Sequence, residues 1–217
     1  MKALVVSLAL VACSSHGANN NVDGGGGGGA YASGTGDAPP TDGMTIDGSR
    51  PGSGRTIFVI PMENESESSI YGDTTDAPYI NNTLMPMSAY TTSFMDELAA
   101  SYPSEPHYIW MEAGTNAFTD HTFTTDNDAS ASNSTNSTQH LSTQLTAAGI
   151  AWVSYQEGMT EGTCPISSIS GSNFAAKHDP FVFFQDVSGS PPNGSNSYCA
   201  EHHKPYSSFE ADLAAGT

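Results

Sequence analysis

The sequence predicts an α/β domain with a mostly parallel sheet and helices on both faces, set behind an export leader and a long tether. Three observations lead there. Short continuously apolar runs occur at 56–61, 108–113 and 150–155; helical periodicity fills stretches between them; and the first 54 residues differ sharply in composition from the rest. Strands alternating with helices assemble as a parallel sheet covered by helices, because each strand must be returned to the same edge by a crossover.

At the start, Lys2 supplies a positive charge and Ala3 to Ala12 form an apolar stretch. This matches the length of a signal-peptide core and is far too short to span a bilayer. The run Leu10-Val11-Ala12-Cys13 resembles the lipobox of bacterial lipoproteins. That resemblance implies a signal peptide of residues 1–12 and a lipidated Cys13 as the first mature residue. The implied location is the cell envelope, with the domain facing periplasm or exterior from a membrane anchor. Ordinary secretion and an uncleaved leader are the alternatives.

Residues 13–54 contain the run Gly24 to Gly29, the pair Pro39-Pro40, and many Ser, Thr, Asn and Asp with few large apolar side chains. Such composition cannot offset the entropy of ordering a backbone, so a flexible tether is expected. The glycine run is not a phosphate loop: no Gly-Lys-Ser/Thr follows it and no strand precedes it.

The domain proper is expected over residues 55–217, long enough for one sizeable core. The formal charge of the 217-residue chain is −18. This argues against nucleic acid as a partner, since phosphate backbones require the opposite sign. It suits a solvated extracellular surface and keeps cations nearby, and an anionic substrate would need a bound cation to offset the repulsion.

Within the domain, Ile57-Phe58-Val59-Ile60 reads as a strand buried on both faces, delivering Met62, Glu63 and Asn64 from its carboxyl end. A helix is expected over 92–100 with Phe94, Met95 and Leu98 inward. The run 108–113 reads as a second strand ending at Gly114 and Thr115. The polar stretch 122–138, with Asp126 and Asp128, reads as an exposed loop; its Asn133-Ser134-Thr135 and Asn136-Ser137-Thr138 match the glycosylation pattern but say nothing in a bacterial lipoprotein. A second helix over 138–148 would turn Leu141, Leu145 and Ala148 inward and be capped by Gly149, ahead of a third strand at 150–155. Cys164 and Cys199 are the two cysteines beyond Cys13, and in an oxidising compartment they are best read as a disulfide, with two buried thiols as the alternative. The loop closed would be worth about 4 kcal/mol by chain entropy.

Ligand sites in parallel sheets gather at the carboxyl ends of strands. Glu63 and Asn64 offer a carboxylate and an amide oxygen, hard donors for a divalent ion if the chain turns there; a solvated acidic turn with Glu65 and Glu67 is the competing reading. Thr115 follows a glycine, where its hydroxyl can be exposed, and threonine needs a metal or base to become a nucleophile. His178, in Ala176-Lys177-His178-Asp179-Pro180, can present an imidazole to a phosphoryl oxygen or belong to a surface loop. His202 and His203 are expected near the surface, drawn toward His178 by the disulfide. No Gly-x-Ser-x-Gly elbow and no zincin spacing is present.

Several of these segments together resemble a known family. Phe58-Val59-Ile60-Pro61-Met62-Glu63-Asn64 is similar to the opening strand of the phosphoesterases that include bacterial phospholipases C and acid phosphatases. The likeness continues in order through Ala77 to Asn81, Tyr102 to Tyr108, Glu112 to Asn116, Gln139 to Leu141, Ala148 to Trp152, Tyr155 to Glu157 and Lys177 to Phe181.

The resemblance implies an alkaline-phosphatase-like fold and hydrolysis of a phosphate ester or phospholipid head group. It assigns a divalent metal of unspecified identity to the Glu63 carboxylate, with Asn64 adding its side-chain oxygen or holding the phosphate, the attacking hydroxyl to Thr115, with Thr119 as the near neighbour in the alignment, and phosphate binding or leaving-group protonation to His178. Family members continue beyond the region of Asp212 to Thr217 into an aspartate cluster that completes the metal site. The front portion alone leaves a partial ligand set, so weak or no turnover is expected, and a noncatalytic surface-anchored lipoprotein is the alternative.

Overall fold

The structure is a computed structural model that describes residues 10–11, 56–62, 65–91, 96–99 and 101–216. The chain divides into two units, one within residues 6–62 and the other formed chiefly by residues 63–217. The expected lipidation at Cys13, the tether and the metal-ligand assignments at Glu63 and Asn64 fall outside the described residues, as do Phe94 and Met95.

In the first unit, strand β1 (Leu10–Val11) pairs antiparallel with strand β2 (Ile57–Phe58), Leu10 opposite Phe58. The expected strand is therefore present but short, and it is not buried on both faces. Ile57 is 66% exposed, Val59 54% and Ile60 49%. An apolar run can form a strand through backbone pairing alone; burial requires another layer against each face.

The second unit combines helices with a small parallel sheet. Its helices are α1 (Glu67–Ile70), α2 (Met85–Met87), α3 (Ser104–Ala113), α4 (Leu141–Ala147), α5 (Gln185–Ser188), α6 (Ser197–His202) and α7 (Phe209–Ala215). Strands β3 (Ser154–Gln156) and β4 (His203–Pro205) run parallel, Ser154 opposite His203 and Gln156 opposite Pro205. Among the described residues this two-stranded pair is the whole of the parallel sheet, smaller than the expected sheet covered on both faces.

The largest correction is at 108–113, which is the second half of helix α3 rather than a strand. Periodicity cannot distinguish a short buried strand from a buried helix. The punctuation decides: Pro103 precedes the helix, Pro106 sits in its first turn where no intrahelical N–H is lost, and Gly114 ends it at φ 67° with its N–H on the Trp110 carbonyl. The buried face of α3 carries Glu105, Ile109 and Glu112. Two carboxylates on that face hide the helical pattern from a hydrophobicity reading.

Helix α4 forms where expected and ends in a Schellman arrangement. Gly149, at φ 70°, donates to the Thr146 carbonyl and Ile150 to the Leu145 carbonyl. Its orientation differs from the expected one: Ser142 is buried, Leu145 is half-buried, and Leu141 and Ala148 are exposed. The third strand begins at Ser154, since 150–153 lack strand pairing, and residues 96–99, the described part of the helix expected over 92–100, are not helical.

The core gathers Ile109, Phe123, Ala129, Val182, Phe183, Phe184 and Val187 with Cys164 and Cys199. Helix α3 lies against the 3₁₀ turns Ala176–His178 and Pro180–Phe183. The stretch 122–138, expected to be exposed, enters this core. Phe123 and Thr135 are fully buried, and Thr135 is locked beside Phe184 by an N–H donated to the Phe183 carbonyl and a carbonyl that accepts from Gln185. Buried polar side chains are tolerated here because they are hydrogen-bonded: the Thr135 hydroxyl donates to Asp120 at 2.7 Å and Asn133 Nδ2 donates to the Asn127 carbonyl at 3.2 Å. Cys164 and Cys199 form the expected disulfide across 35 residues.

Candidate functional site

Thr115 stands two residues past the end of α3, not at the end of a strand. Its flanks are fixed by buried groups. Glu112 is buried three residues earlier, and Asn116 is buried with its Nδ2 donating to the Phe123 carbonyl at 2.8 Å while Phe123 N–H donates back to the Asn116 carbonyl at 2.9 Å. The Thr115 hydroxyl is half-buried and held by a local turn: Oγ1 accepts from Ala117 N–H at 3.1 Å and donates weakly to the Ala117 carbonyl at 3.3 Å.

His178 closes the 3₁₀ turn 176–178 and lies against Tyr108 of α3, ring centroids 5.1 Å apart. Tyr108 and Thr115 are seven residues apart, on the order of 10 Å along the helix direction. His178 thus packs against the middle of α3, whereas Thr115 lies beyond its carboxyl end.

What the fold brings together is a different set of groups. His140, the residue before α4, is 1% exposed and sandwiched between two carboxylates. Nδ1 lies 3.0 Å from Glu112 Oε1, and Nε2 lies 3.0 and 3.1 Å from the two oxygens of Asp186. Ser142 N–H donates to the same Glu112 oxygen at 2.7 Å, and the Thr143 hydroxyl donates to Asp186 at 2.6 Å. The imidazole stacks on Phe184 at 4.0 Å. Burial pulls the His140 pKa down, but the hydrogen bonds to Asp186 and Glu112 outweigh it and hold it above the usual value. Burial likewise raises Asp186, and its bonds to His140 and Thr143 bring it below the usual carboxylate range. One imidazolium therefore ties α3, α4 and α5 together.

A second brace joins His203 to Asp179. Both are buried, contrary to the expected surface position of the His202-His203 doublet. His203 Nε2 lies 3.1 Å from Asp179 Oδ2, and Nδ1 lies 2.7 Å from the Cys199 carbonyl. Burial again opposes the charge, but Asp179 and the carbonyl prevail and the pKa is raised. Asp179 immediately follows His178, so the disulfide region does reach the His178 turn, through His203 rather than by a contact of histidines.

The third group is Glu105, fully buried at the start of α3. Its Oε2 accepts from Asn127 N–H at 2.8 Å. Burial pushes its pKa up to about 7, against the opposing bonds from Asn133 and Asn127, and nearby Asp126 adds to the rise. Asp126 itself is paired with Lys177 and accepts from Glu105 N–H. A carboxyl held near neutrality is suited to proton exchange.

None of these three groups was singled out from sequence as a site. Glu105, Glu112, His140 and Asp179 lie inside the segments that carry the resemblance to phosphoesterases, which is the available signal; the contacts Glu112–His140, His140–Asp186 and Asp179–His203 span 28, 46 and 24 residues and leave no local pattern. Among the described residues no cluster of three His, Cys, Asp or Glu is arranged to hold a metal ion, and no helix is long and apolar enough to cross a membrane. No protein-family model, curated protein or solved structure matches this chain.

Proposed function

We propose that this chain acts on phosphate esters, as acid phosphatases and phospholipases C do, within an alkaline-phosphatase-like architecture anchored to a bacterial membrane through Cys13. The observation that carries the reading is the presentation of Thr115. Glu112 and Asn116 fix the backbone on either side through buried hydrogen bonds, while the hydroxyl itself is committed only to its own turn. A nucleophile needs that combination of a rigid backbone and a lightly engaged hydroxyl, since positioning supplies much of the acceleration.

Thr115 would attack phosphorus by exchanging its 3.3 Å bond to the Ala117 carbonyl for the substrate, a small loss for a long and weak contact. His178, steadied against Tyr108, would donate to a phosphoryl oxygen or to the departing alcohol of a substrate long enough to reach along α3. The donor chemistry of Glu63 and Asn64, one carboxylate and one amide oxygen, suits a hard divalent cation, with water and substrate oxygens filling the remaining positions. Such an ion, when bound, lowers the pKa of a nearby hydroxyl and offsets phosphoryl charge, which the −18 chain otherwise repels. Two protein donors hold a cation weakly, so turnover is expected to be slow.

The test is release of p-nitrophenol from p-nitrophenyl phosphate by the purified chain with Mg, Ca, Mn and Zn in turn. The expected result is slow metal-dependent turnover that falls at least about 100-fold in Thr115→Ala, the scale of losing one essential group. Absence of turnover with every metal, in protein that remains folded, rejects the reading. It would favour a noncatalytic surface lipoprotein, an account supported by the use of Glu112, His140 and Asp179 in buried braces. Acyl labelling that disappears in Cys13→Ser checks the anchor independently.

A further inference from the structure

The environment of the disulfide is asymmetric. Cys199 Sγ lies 3.6 Å from His203 Nδ1, whereas the residues bonded to Cys164 are neutral backbone groups, its N–H donating to the Gly194 carbonyl and its carbonyl accepting from Ile166. His203 has an acceptor at each ring nitrogen, the Cys199 carbonyl at 2.7 Å and the Asp179 carboxylate at 3.1 Å. An imidazole with both nitrogens facing acceptors carries two N–H groups and a positive charge. That charge sits beside one sulfur of the pair in a fully buried setting, where it is screened little by solvent. Asp179 shares the charge and moderates its effect on sulfur without cancelling it, because the carboxylate is bound at Nε2, the far side of the ring.

We propose that Cys164–Cys199 is a reducible cross-link in which His203 stabilises Cys199 as the departing thiolate. The reductant is a dithiol, either a small molecule or the active site of a dithiol oxidoreductase of the export compartment. Both cysteines are buried, Cys164 at 3% exposure and Cys199 at 0%, so the reductant's thiolate enters through local opening and attacks Cys164 Sγ, forming a mixed disulfide. The Cys164–Cys199 bond breaks and its electron pair stays on Cys199 Sγ beside the imidazolium. The second reductant thiol, as thiolate, then attacks the first reductant sulfur; Cys164 leaves and takes up a proton, and the dithiol is released as its own disulfide. A leaving thiol of lowered pKa departs faster, and a stabilised thiolate draws the equilibrium toward the reduced form. Reduction opens the 35-residue loop while the Cys199–His203–Asp179 chain stays ion-paired, so the cross-link can be released without unpinning β4.

The experiment uses the full chain carrying Cys13→Ser, so that Cys164 and Cys199 are the remaining thiols. The protein is equilibrated in mixtures of reduced and oxidised dithiothreitol at pH 7.5, and the reduced fraction is read by thiol-specific mass labelling. His203→Gln is expected to need an about tenfold higher ratio of reduced to oxidised reagent at midpoint, the consequence of losing the imidazolium charge that favours the Cys199 thiolate at this pH. A midpoint that moves less than about threefold overturns the proposal. Should the His203→Gln chain fail to fold, the Cys164→Ser chain decides alone, because its one thiol can be titrated by thiolate absorbance. A midpoint at least about one pH unit below the ordinary thiol value of about 8.5 supports the proposal, and one nearer to that value or above it overturns it.

Discussion

Residues 56–62 and residues 122–138 occupy environments opposite to their polarity. Ile57, Val59 and Ile60 form an apolar run that lies half or more exposed, whereas a stretch rich in Ser, Thr and Asn places Phe123 and Thr135 at zero exposure and Asn133 and Ser134 close to it. The difference lies in what each segment has to pack against. β2 meets one short strand at its edge, which satisfies backbone groups but covers no face. The polar stretch instead threads between α3 and the 183–185 segment, where each buried polar group finds a fixed partner. Burial follows from available neighbours and satisfied hydrogen bonds as much as from the polarity of the side chain.

The largest effect that would sharpen this contrast is expected at Phe184, which stacks on His140 and meets Phe118 edge-on at 5.8 Å. Phe184→Ala should cost about 4 kcal/mol, by lost burial and the cavity left behind. Equilibrium urea unfolding measures it; a loss below about 1 kcal/mol would mean that the second unit has no core of the kind described.

A smaller effect is carried by Glu105 and depends on pH. Its folded pKa of about 7 lies above the ordinary glutamate value of 4.5, so the folded state holds a proton that the unfolded chain releases between those values. Stability must fall as pH rises through that window, by about 3 kcal/mol in all. His140 and His203 act in the same direction at higher pH: their raised pKa values give stability that is complete below the unfolded value near 6.5 and is lost as pH rises through the folded one. Asp120 and Asp186 oppose this at the acid end, where stability from their lowered pKa values is lost as pH falls through the folded value. Urea unfolding from pH 4 to 9 should therefore show greatest stability in mild acid. Glu105→Gln should flatten the slope between about pH 4.5 and 7 while leaving the alkaline loss; an unchanged slope would show that the Glu105 carboxyl is solvated.

The smallest effect is expected in the exposed strand. Val59→Ser should change stability by less than about 0.5 kcal/mol, as exposed substitutions do. A cost above about 2 kcal/mol would show that β2 is covered, and the comparison between the two regions would fail.

Sequence by itself determined the features that are local or depend on few residues. Gly149 ends α4 because φ near 70° is open to glycine without a Cβ penalty, and the two cysteines of the domain pair because no other partner within it competes. The proposed phosphoester activity rests on a resemblance of ordered sequence segments. Tertiary structure alone decided the remainder: the helical state of 108–113, the inward turn of Ser142 in place of Leu141, and the braces at His140 and His203. Each of these is set by long-range contacts. Glu112, His140 and Asp186 are spread over 74 residues and are individually ordinary polar positions; only the fold brings them together, with Glu112 and His140 buried, where an unpaired charge is costly, and Asp186 closing the group from the surface.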